Sequence, residues 1–446
     1  MKLLVFPYDQ WKGKITGPKR RMVSLAKQFR RAKGMDVRAP PSGVQPIKFN
    51  PSITLLRKKS KSCVYAVAYR AHFPSPKGYR GSVPRLAAPR TDTPKGRVGM
   101  WDFQFRNYWD GTGICEIEVF DDKIVIRKDV IPMKGGQLLD PRIVRQKVKG
   151  GGGTLFLQYS DYTWGQEKWD VKPTEVLKRC GEYWDELRIM IGTVPIRLDS
   201  KEGFAVKAKG HLICQDTSRR FEKNWAFVPD GRKTKTFQYS CGPLTYMRGI
   251  TESNSRECIE VKAKSTFFMR LYKHLGNLVP GMSGNGIACT SPLQTFGTSY
   301  IGLGHIKLLY KNFKPKSRKG AHRFIGELAK RQNLNLQGAS KWFKEGINMH
   351  QQYIYVMFMY TINRKTLELE RVSDAWLPQS GVIPYFSTLV FPMAIEPFLG
   401  SQWALSVGIS DHDSALLIMS SEEIRTRLRH KASSPVQNME FKIVEC

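Results

Sequence analysis

The sequence predicts an all-β fold, and three observations carry this prediction. Apolar and aromatic runs of about four to eight residues recur along the chain, bounded by Gly, Pro, Asp and Asn. The sequence shows no sustained alternation of strand and helix patterns, which would indicate a parallel α/β sheet. Five short polar motifs stand beside strand-like runs between residues 49 and 413. Because each blade of a radial fold can bring one loop to a shared pocket, this spacing predicts a β-propeller.

The chain organisation follows from these patterns. Strands are predicted at 64–69, 113–120, 124–127, 154–159, 235–240, 300–303, 353–360, 388–391, 403–407 and 414–419. Two stretches, 172–191 and 312–346, carry helical patterns and are expected to be insertions. The predicted domains are a basic N-terminal extension (1–48), a propeller domain (49–430) with helical insertions at about 165–191 and 312–346, and a C-terminal tail (431–446).

The chain is strongly basic. Its 446 residues include 72 Lys and Arg against 38 Asp and Glu, a formal net charge of +34. The positive electrostatic field of such a charge favours acidic partners, including nucleic acid, anionic lipid and phosphorylated substrates. A basic surface that is only solvated, without a dedicated partner, fits the same charge equally well. No apolar run approaches the roughly 20 residues that cross a bilayer, so a soluble, cytoplasmic protein is expected.

The eight cysteines occur singly, without CxxC pairs or other metal-ligand spacing. The sequence therefore predicts neither a metal site nor a cofactor. Most of these cysteines lie in apolar surroundings and are expected to be small buried side chains in a reducing compartment. Because their number is even, disulfides remain open.

The five motifs are Phe49-Asn50-Pro51-Ser52-Ile53, Leu139-Asp140-Pro141-Arg142, Glu222-Lys223-Asn224-Trp225, Gly302-Leu303-Gly304-His305-Ile306-Lys307 and Gly408-Ile409-Ser410-Asp411-His412-Asp413. Their order resembles the five-bladed β-propellers of glycoside hydrolase family 130 and the related propeller β-mannosyltransferases. The resemblance implies five blades and a carbohydrate-active enzyme. It also implies that Asp140 is the catalytic acid, although Leu139 stands where that family usually has Glu.

Asp140 follows an apolar pair, and a carboxylic acid beside a pocket of low polarity is suited to proton donation. The alternative is a plain Asp-Pro-Arg turn in which the carboxylate bonds backbone amides. In phosphorylases of the resembled family, phosphate itself attacks the sugar, so a second carboxylate is unnecessary.

The remaining candidate residues are of two kinds. The predicted phosphate-binding residues are Arg70, Lys223, His305 and Lys307, since Arg and Lys suit anions and His titrates near neutral pH. The predicted substrate-binding residues are Asn50, Arg70, Asp102, Arg142, Asn224, Trp225, Ser291 and Asp411. Simpler alternatives exist for several of them: Trp225 as a core residue, His305 as a satisfied strand histidine and Arg70 as a surface charge.

The leading hypothesis is therefore a glycosyltransferase, phosphorylase or glycosidase acting on a mannose-like unit of a glycan, a sugar phosphate or a nucleotide sugar. One alternative is a basic nucleic-acid-binding β protein, although no known recognition motif supports it. The other is a glycan-binding propeller without catalysis, which the Leu139 departure favours.

Overall fold

The computed structural model describes residues 1–7, 47–74, 108–133, 139–147, 153–164, 187–199, 203–206, 211–213, 224–231, 234–250, 259–278, 286–309, 353–379, 390–409 and 413–446. Within these ranges the fold is all-β, as predicted, and its strands form five sheets.

The first three sheets follow one another along the chain. The first contains β2 (Ile47–Lys58), β3 (Ser62–Pro74), β4 (Tyr108–Phe120) and β5 (Ile124–Met133). The second contains β6 (Leu139–Lys147), β7 (Gly153–Trp164), β8 (Leu187–Asp199), β9 (Gly203–Val206) and β10 (His211–Ile213). The third contains β11 (Ala226–Val228), β12 (Lys235–Ser240), β13 (Thr245–Ile250) and β14 (Ile259–Lys262).

The last two sheets also use the ends of the chain. The fourth contains β15 (Ile287–Cys289), β16 (Gln294–Phe296), β17 (Ser299–Leu309), β18 (Tyr353–Asn363), β19 (Leu369–Val372), β20 (Ala375–Gln379), β24 (His430–Lys431) and β25 (Phe441–Glu445). The fifth contains β21 (Val390–Pro397), β22 (Gln402–Ile409), β23 (Asp413–Ser420) and β1 (Lys2–Val5).

The sheets have a β-propeller arrangement. The first strand of the first sheet, β2, contacts β6 of the second sheet and β21 of the fifth, so the first strands lie towards the common axis. Four sheets have the four or five strands of an ordinary blade, whereas the fourth sheet joins eight. The predicted five-bladed propeller is therefore corrected to a propeller with four blades. The fourth sheet is not an ordinary blade, because the C-terminal strands β24 and β25 enlarge it to eight strands.

Both chain ends contribute a strand to a sheet. Strand β1 pairs antiparallel with β23 and completes the fifth sheet, although residues 1–48 were assigned to a basic extension. Strand β25 pairs parallel with β20, although residues 431–446 were assigned to a tail. In each case a short apolar run adds a strand to an otherwise open sheet edge.

Two α-helices lie within the described ranges, α1 (Phe267–Leu278) and α2 (Ser421–Arg427). Helix α1 was not predicted; its Phe267, Phe268, Leu271 and Leu275 are buried at helical spacing. The predicted helix 172–191 is wrong at its end, because Leu187 already begins β8. The remainder of that helix and the predicted insertion 312–346 lie outside the described residues.

The apolar core is divided among the boundaries between neighbouring sheets. One cluster packs the first sheet on the fifth, a second packs the first on the second, and a third packs the second on the third. The largest cluster joins the third, fourth and fifth sheets with α1. Face-to-face burial between successive sheets is what a propeller requires, because each sheet has two apolar faces to cover.

Three sheets repeat a tyrosine that lies over the glycine opposite to it. The cross-strand pairs are Tyr69–Gly113, Tyr159–Gly192 and Tyr360–Gly302. A Cβ added to any of these glycines would lie between 2.2 and 2.7 Å from the nearest atom of the tyrosine ring. Glycine is therefore required by close approach at these strand positions.

We expect Gly192→Ala to lower the free energy of unfolding by about 1–3 kcal/mol, because its methyl group would overpack the Tyr159 ring. Urea unfolding of Gly192→Ala, Tyr159→Leu and the double variant measures this. Gly192→Ala should lower the free energy of unfolding less in the Tyr159→Leu background than in the parent chain, because the ring that the methyl group would overpack is absent there. Strictly additive losses would contradict this explanation.

A disulfide joins the third and fourth sheets. Cys241, after β12, is bonded to Cys289 at the end of β15, and 48 positions separate the two residues. Cys63 and Cys115 are buried and not disulfide-bonded, as expected from their apolar surroundings. One pair is thus bonded, which the even number of cysteines left open, although no local pattern in the sequence indicates which two residues pair.

Candidate functional site at the propeller axis

Three of the motifs contain a residue in the left-handed region of the backbone map. Asn50, Asp140 and Asn224 have φ angles of 52°, 46° and 60°. Each lies at or near the start of the first strand of its sheet, so the three hold corresponding places in successive sheets. Asn and Asp adopt this conformation more readily than most residues, because their short polar side chains can bond locally. The backbone therefore favours these residue types here.

The strand ladders are interrupted by register shifts near Asn50 and Asp140. The ladder of the first sheet shifts its register between residues 49 and 52, and that of the second sheet shifts between residues 139 and 142. Pro51 and Pro141 lie inside these shifts, and Pro392 lies at a third shift in β21. Proline has no N–H to donate, so it is tolerated where the ladder is interrupted. The bulges redirect side chains near the axis.

The carboxyl group of Asp140 lies between side chains of the first sheet. Asn50 Nδ2 donates to Asp140 Oδ1 at 3.3 Å, and Arg70 Nη1 lies 3.9 Å from the same oxygen. Arg70 stands opposite Phe49 in the ladder, which places it beside Asn50. The side chains of Asp140 and Arg70 are 16% and 12% exposed, so both are partly accessible to solvent. The predicted acid and one predicted anion contact therefore lie side by side, and their roles stay predictions.

Arg142 is buried and holds groups from three sheets. Its Nη1 donates to the carbonyl of Asp140 at 2.8 Å, its Nε to the carbonyl of Thr290 at 2.5 Å, and its Nη2 lies 3.5 Å from Asn224 Oδ1. Burial lowers the pKa of Arg142 to about 10, while the charge of Asp140 acts in the opposite direction. The guanidinium group remains charged at neutral pH.

Hydrogen bonds between neighbouring sheets hold this level of the ring. Ile143 N donates to Ser52 Oγ (3.3 Å), Gln158 Nε2 to the carbonyl of Trp225 (2.6 Å), Leu293 N to the carbonyl of Phe227 (2.8 Å) and Thr290 Oγ1 to the carbonyl of Pro392 (2.9 Å). These bonds connect all five sheets in succession. The residues around Asp140 therefore belong to strands that hydrogen bonds connect from sheet to sheet.

The amide of Asn50 is half satisfied. Its oxygen is buried and has no hydrogen-bond partner among the described residues. Gly408 in β22 lies against it, and a Cβ at that position would be 1.9 Å from Asn50 Oδ1. A buried polar atom without a partner is unusual in native proteins and often has a functional explanation.

His305 lies in β17 and is uncharged at neutral pH. Its ring lies between those of Tyr355 and Phe391, with ring centroids 5.1 and 4.8 Å away. Burial first, then the charges of Lys307 and Arg142, lower the pKa of His305 to about 3. Its Nδ1 has no hydrogen-bond partner within the described part of the chain. The predicted role of His305 as a cationic phosphate ligand is therefore corrected: the imidazole supplies no charge to the free site.

We expect stability to fall in acid because of His305. Its ordinary pKa of about 6.5 applies in the unfolded chain, which therefore takes up a proton below that pH while the folded protein does not until about pH 3. The contribution of neutral His305 to the free energy of unfolding is fully present above about pH 6.5. Below that pH it is lost as the pH falls, at a rate approaching about 1.4 kcal/mol per pH unit. Urea unfolding at pH 7.5 and 5.5 should show this loss in the parent chain and a loss smaller by about 1.4 kcal/mol in His305→Phe. Equal losses would contradict it.

Two predicted substrate contacts lie in the core. Trp225 is fully buried, with Phe237 and Tyr239 at ring-centroid distances of 6.1 and 5.1 Å. Ser291 is also fully buried, and its Oγ accepts a hydrogen bond from Leu303 N at 2.7 Å. Neither side chain has an exposed surface for a sugar, which corrects both assignments.

Lys307 remains accessible, and its Nζ lies 5.6 Å from the centroid of the Tyr355 ring. Three predicted site residues, Asp102, Lys223 and Asp411, lie outside the described residues. Their roles stay predictions.

Two residues of the site were missed. Thr290 contributes its carbonyl to Arg142 and its hydroxyl to the fifth sheet, and no sequence signal marks it. Gly408 was noted only as the start of a motif. A glycine inside a strand does indicate close approach of another group, and that signal could have placed it beside Asn50.

Within the described part of the chain, no three His, Cys, Asp or Glu side chains come together as metal ligands. None of the helices in those ranges has the length and apolar character needed to cross a lipid bilayer.

The chain was compared with known proteins. No protein-family model matches the sequence, and none of the curated proteins does either. Among solved structures, the fold is similar to a β-1,2-mannobiose phosphorylase from Listeria innocua in complex with β-1,2-mannobiose (TM-score 0.45, 10% identity, 96% of this chain and 99% of that chain). It is also similar to MPT-1, a GDP-Man-dependent mannosyltransferase from Leishmania mexicana (TM-score 0.38, 8% identity, 84% and 85%). These values describe a distant similarity of fold and contribute nothing to the assignment of chemistry.

Proposed function

We propose that the chain is a carbohydrate-active enzyme that transfers a glycosyl unit, with Asp140 as its general acid. The observation that carries the proposal is the place of the Asp140 carboxyl group. It lies near the axis, partly exposed, with Asn50 Nδ2 at 3.3 Å and Arg70 Nη1 at 3.9 Å. The order of the five motifs, which resembles mannoside-acting propeller enzymes, supports a mannose-like sugar.

In this proposal Asp140 gives its proton to the oxygen that leaves the sugar when the glycosidic or phosphate bond breaks. The carboxylate that results is stabilised by the guanidinium group of Arg70 and the amide of Asn50. The amide oxygen of Asn50 is buried against Gly408, so we propose that Asn50 acts on Asp140 through its amide nitrogen and does not contact the sugar.

The charge of the chain supports an anionic donor or attacking group. A net charge of +34 attracts sugar phosphates, nucleotide sugars and inorganic phosphate. We propose Arg70 and Lys307 as contacts of that anion, together with Lys223, and Asp102 and Asp411 as contacts of sugar hydroxyls. Asn224 is proposed to act on the substrate side through its amide nitrogen, because its oxygen faces Arg142.

The test is a panel of mannosides with inorganic phosphate, mannose 1-phosphate and nucleotide sugars, with linkage analysis of the products. We expect turnover of at least one donor by the parent chain. Glycan binding without any turnover would instead favour a non-catalytic propeller. Phosphate-dependent cleavage, transfer from the nucleotide sugar and hydrolysis are separated by which product appears.

One feature of the described residues favours the nucleic-acid alternative, the exposed end of β2 together with the turn that leads to β3. It carries four basic residues within five positions: Arg57, Lys58, Lys59 and Lys61. Binding of single or double strands that weakens steeply with salt, without any sugar turnover, would favour this alternative over the enzyme.

A further inference from the structure

The guanidinium group of Arg142 is enclosed by protein groups. The residue is 1% exposed, and three of its five N–H donors are directed at Asp140, Thr290 and Asn224. These partners belong to the second sheet, the fourth sheet and the segment entering the third. A substrate would have to displace protein carbonyls to use the same donors.

One of these contacts fixes the backbone that presents the acid. Asp140 has a positive φ and lies in the register shift of the second sheet, so its carbonyl is not part of the regular ladder there. Arg142 Nη1 donates to that carbonyl at 2.8 Å. A left-handed residue persists only where its surroundings hold it in place.

The other contacts tie this backbone to the rest of the ring. The Thr290 carbonyl that accepts from Arg142 Nε belongs to a residue whose hydroxyl donates to Pro392 in the fifth sheet. The next residue along β6, Ile143, donates its N–H to Ser52 in the first sheet. Through Arg142 and Ile143, the backbone around Asp140 is therefore linked by hydrogen bonds to all the other sheets.

We infer that Arg142 is a positioning residue, which holds Asp140 against Asn50 and Arg70 by bridging three sheets and does not contact the substrate. This inference rests on the proposed function only in naming Asp140 as the reacting group. It replaces the substrate-binding role that the sequence suggested for Arg142.

The first experiment is a crystal structure of Arg142→Lys beside kinetics on the donor that the parent chain turns over. Lysine keeps the charge but has one nitrogen, which cannot reach three acceptors in a plane. We expect Asp140 to leave the left-handed region, or its Oδ1 to move out of hydrogen-bond distance from Asn50 Nδ2. The kcat should fall more than about tenfold with KM changed less than about twofold, because an interaction realised in the transition state is lost.

Arg145→Lys is the matched control. Arg145 lies on the same strand, is exposed, and donates to the carbonyls of Leu55 and Leu56 at 3.5 and 3.2 Å. It should leave the geometry of Asp140 and kcat unchanged. An unmoved Asp140 in Arg142→Lys, with KM raised and kcat kept, would overturn the inference and make Arg142 a substrate contact.

A second variant covers the case in which Arg142→Lys does not fold. Asn224→Gly keeps the positive φ at that position and removes the side-chain amide, including the acceptor of Nη2. Because the amide nitrogen is itself a proposed substrate contact, the geometry of Asp140 and not the rate is the readout for this variant. The same displacement of Asp140 is expected, to a smaller extent, and an unchanged Asp140 would contradict the inference. If the parent chain turns over no donor, the proposed function fails, while these crystal structures still decide the role of Arg142.

Discussion

Asp140→Asn is expected to lower the turnover rate about 10²- to 10⁴-fold and to leave the folded protein intact, because general-acid catalysis contributes effects of that size. Asparagine is the informative replacement. It has the size of aspartate and tolerates the φ of 46° at this position, whereas alanine would add backbone strain to the loss of the acid. The rate is measured with saturating donor at several pH values.

The control for this variant is Asp122→Asn, which changes an exposed carboxylate in the turn between β4 and β5. It should keep the parent rate. The unfolding curve of Asp122→Asn should coincide with that of the parent within about 0.5 kcal/mol, the range of surface substitutions away from special features. Asp140→Asn should still unfold in one cooperative transition. Full activity in Asp140→Asn would remove Asp140 from the chemistry.

Loss of the Cys241–Cys289 disulfide is expected to lower the free energy of unfolding by about 4 kcal/mol. The bond closes a loop of 48 residues, and closing such a loop restricts the unfolded chain. The bond also joins the third and fourth sheets immediately before Thr290, whose carbonyl holds Arg142. The double variant Cys241→Ala/Cys289→Ala, unfolded in urea without reductant, measures this effect.

The matched control is Cys446→Ser, which replaces a free thiol and should leave stability near that of the parent chain. Peptide mapping under non-reducing conditions should recover the linked pair from the parent. Two free thiols at positions 241 and 289, with no stability difference in the double variant, would contradict the prediction.

Most of the described fold could be predicted from the sequence where strands are long and bounded by turns. The segments 64–69 and 353–360 fall inside β3 and β18. The failures have two physical causes. Short apolar runs fit a strand or a helix equally, which is why Leu187 falls within a predicted helix. The strand number of the fourth sheet depends on where the C-terminal strands β24 and β25 pair, that of the fifth depends on where β1 pairs, and no local pattern encodes either.

The candidate site was predictable at the positions where the backbone conformation favours a particular residue type. Asn50, Asp140 and Asn224 have left-handed backbone conformations that favour Asn or Asp, and the first two also lie in bulges and precede proline. The environments of Trp225 and His305 were not predictable. Whether a side chain on a strand meets the core, two aromatic rings or a ligand depends on which sheet packs next to it.

Proton donation by Asp140 is the central step of the proposed reaction, and the leaving-group dependence of the rate tests it most directly. The parent chain and Asp140→Asn are compared on aryl glycosides of the preferred sugar, from dinitrophenyl to phenyl leaving groups. Without its acid, the variant should stay fast on the dinitrophenyl compound, which leaves without a proton, and slow progressively as the leaving phenol becomes more basic. The same fractional loss on every leaving group would contradict the account.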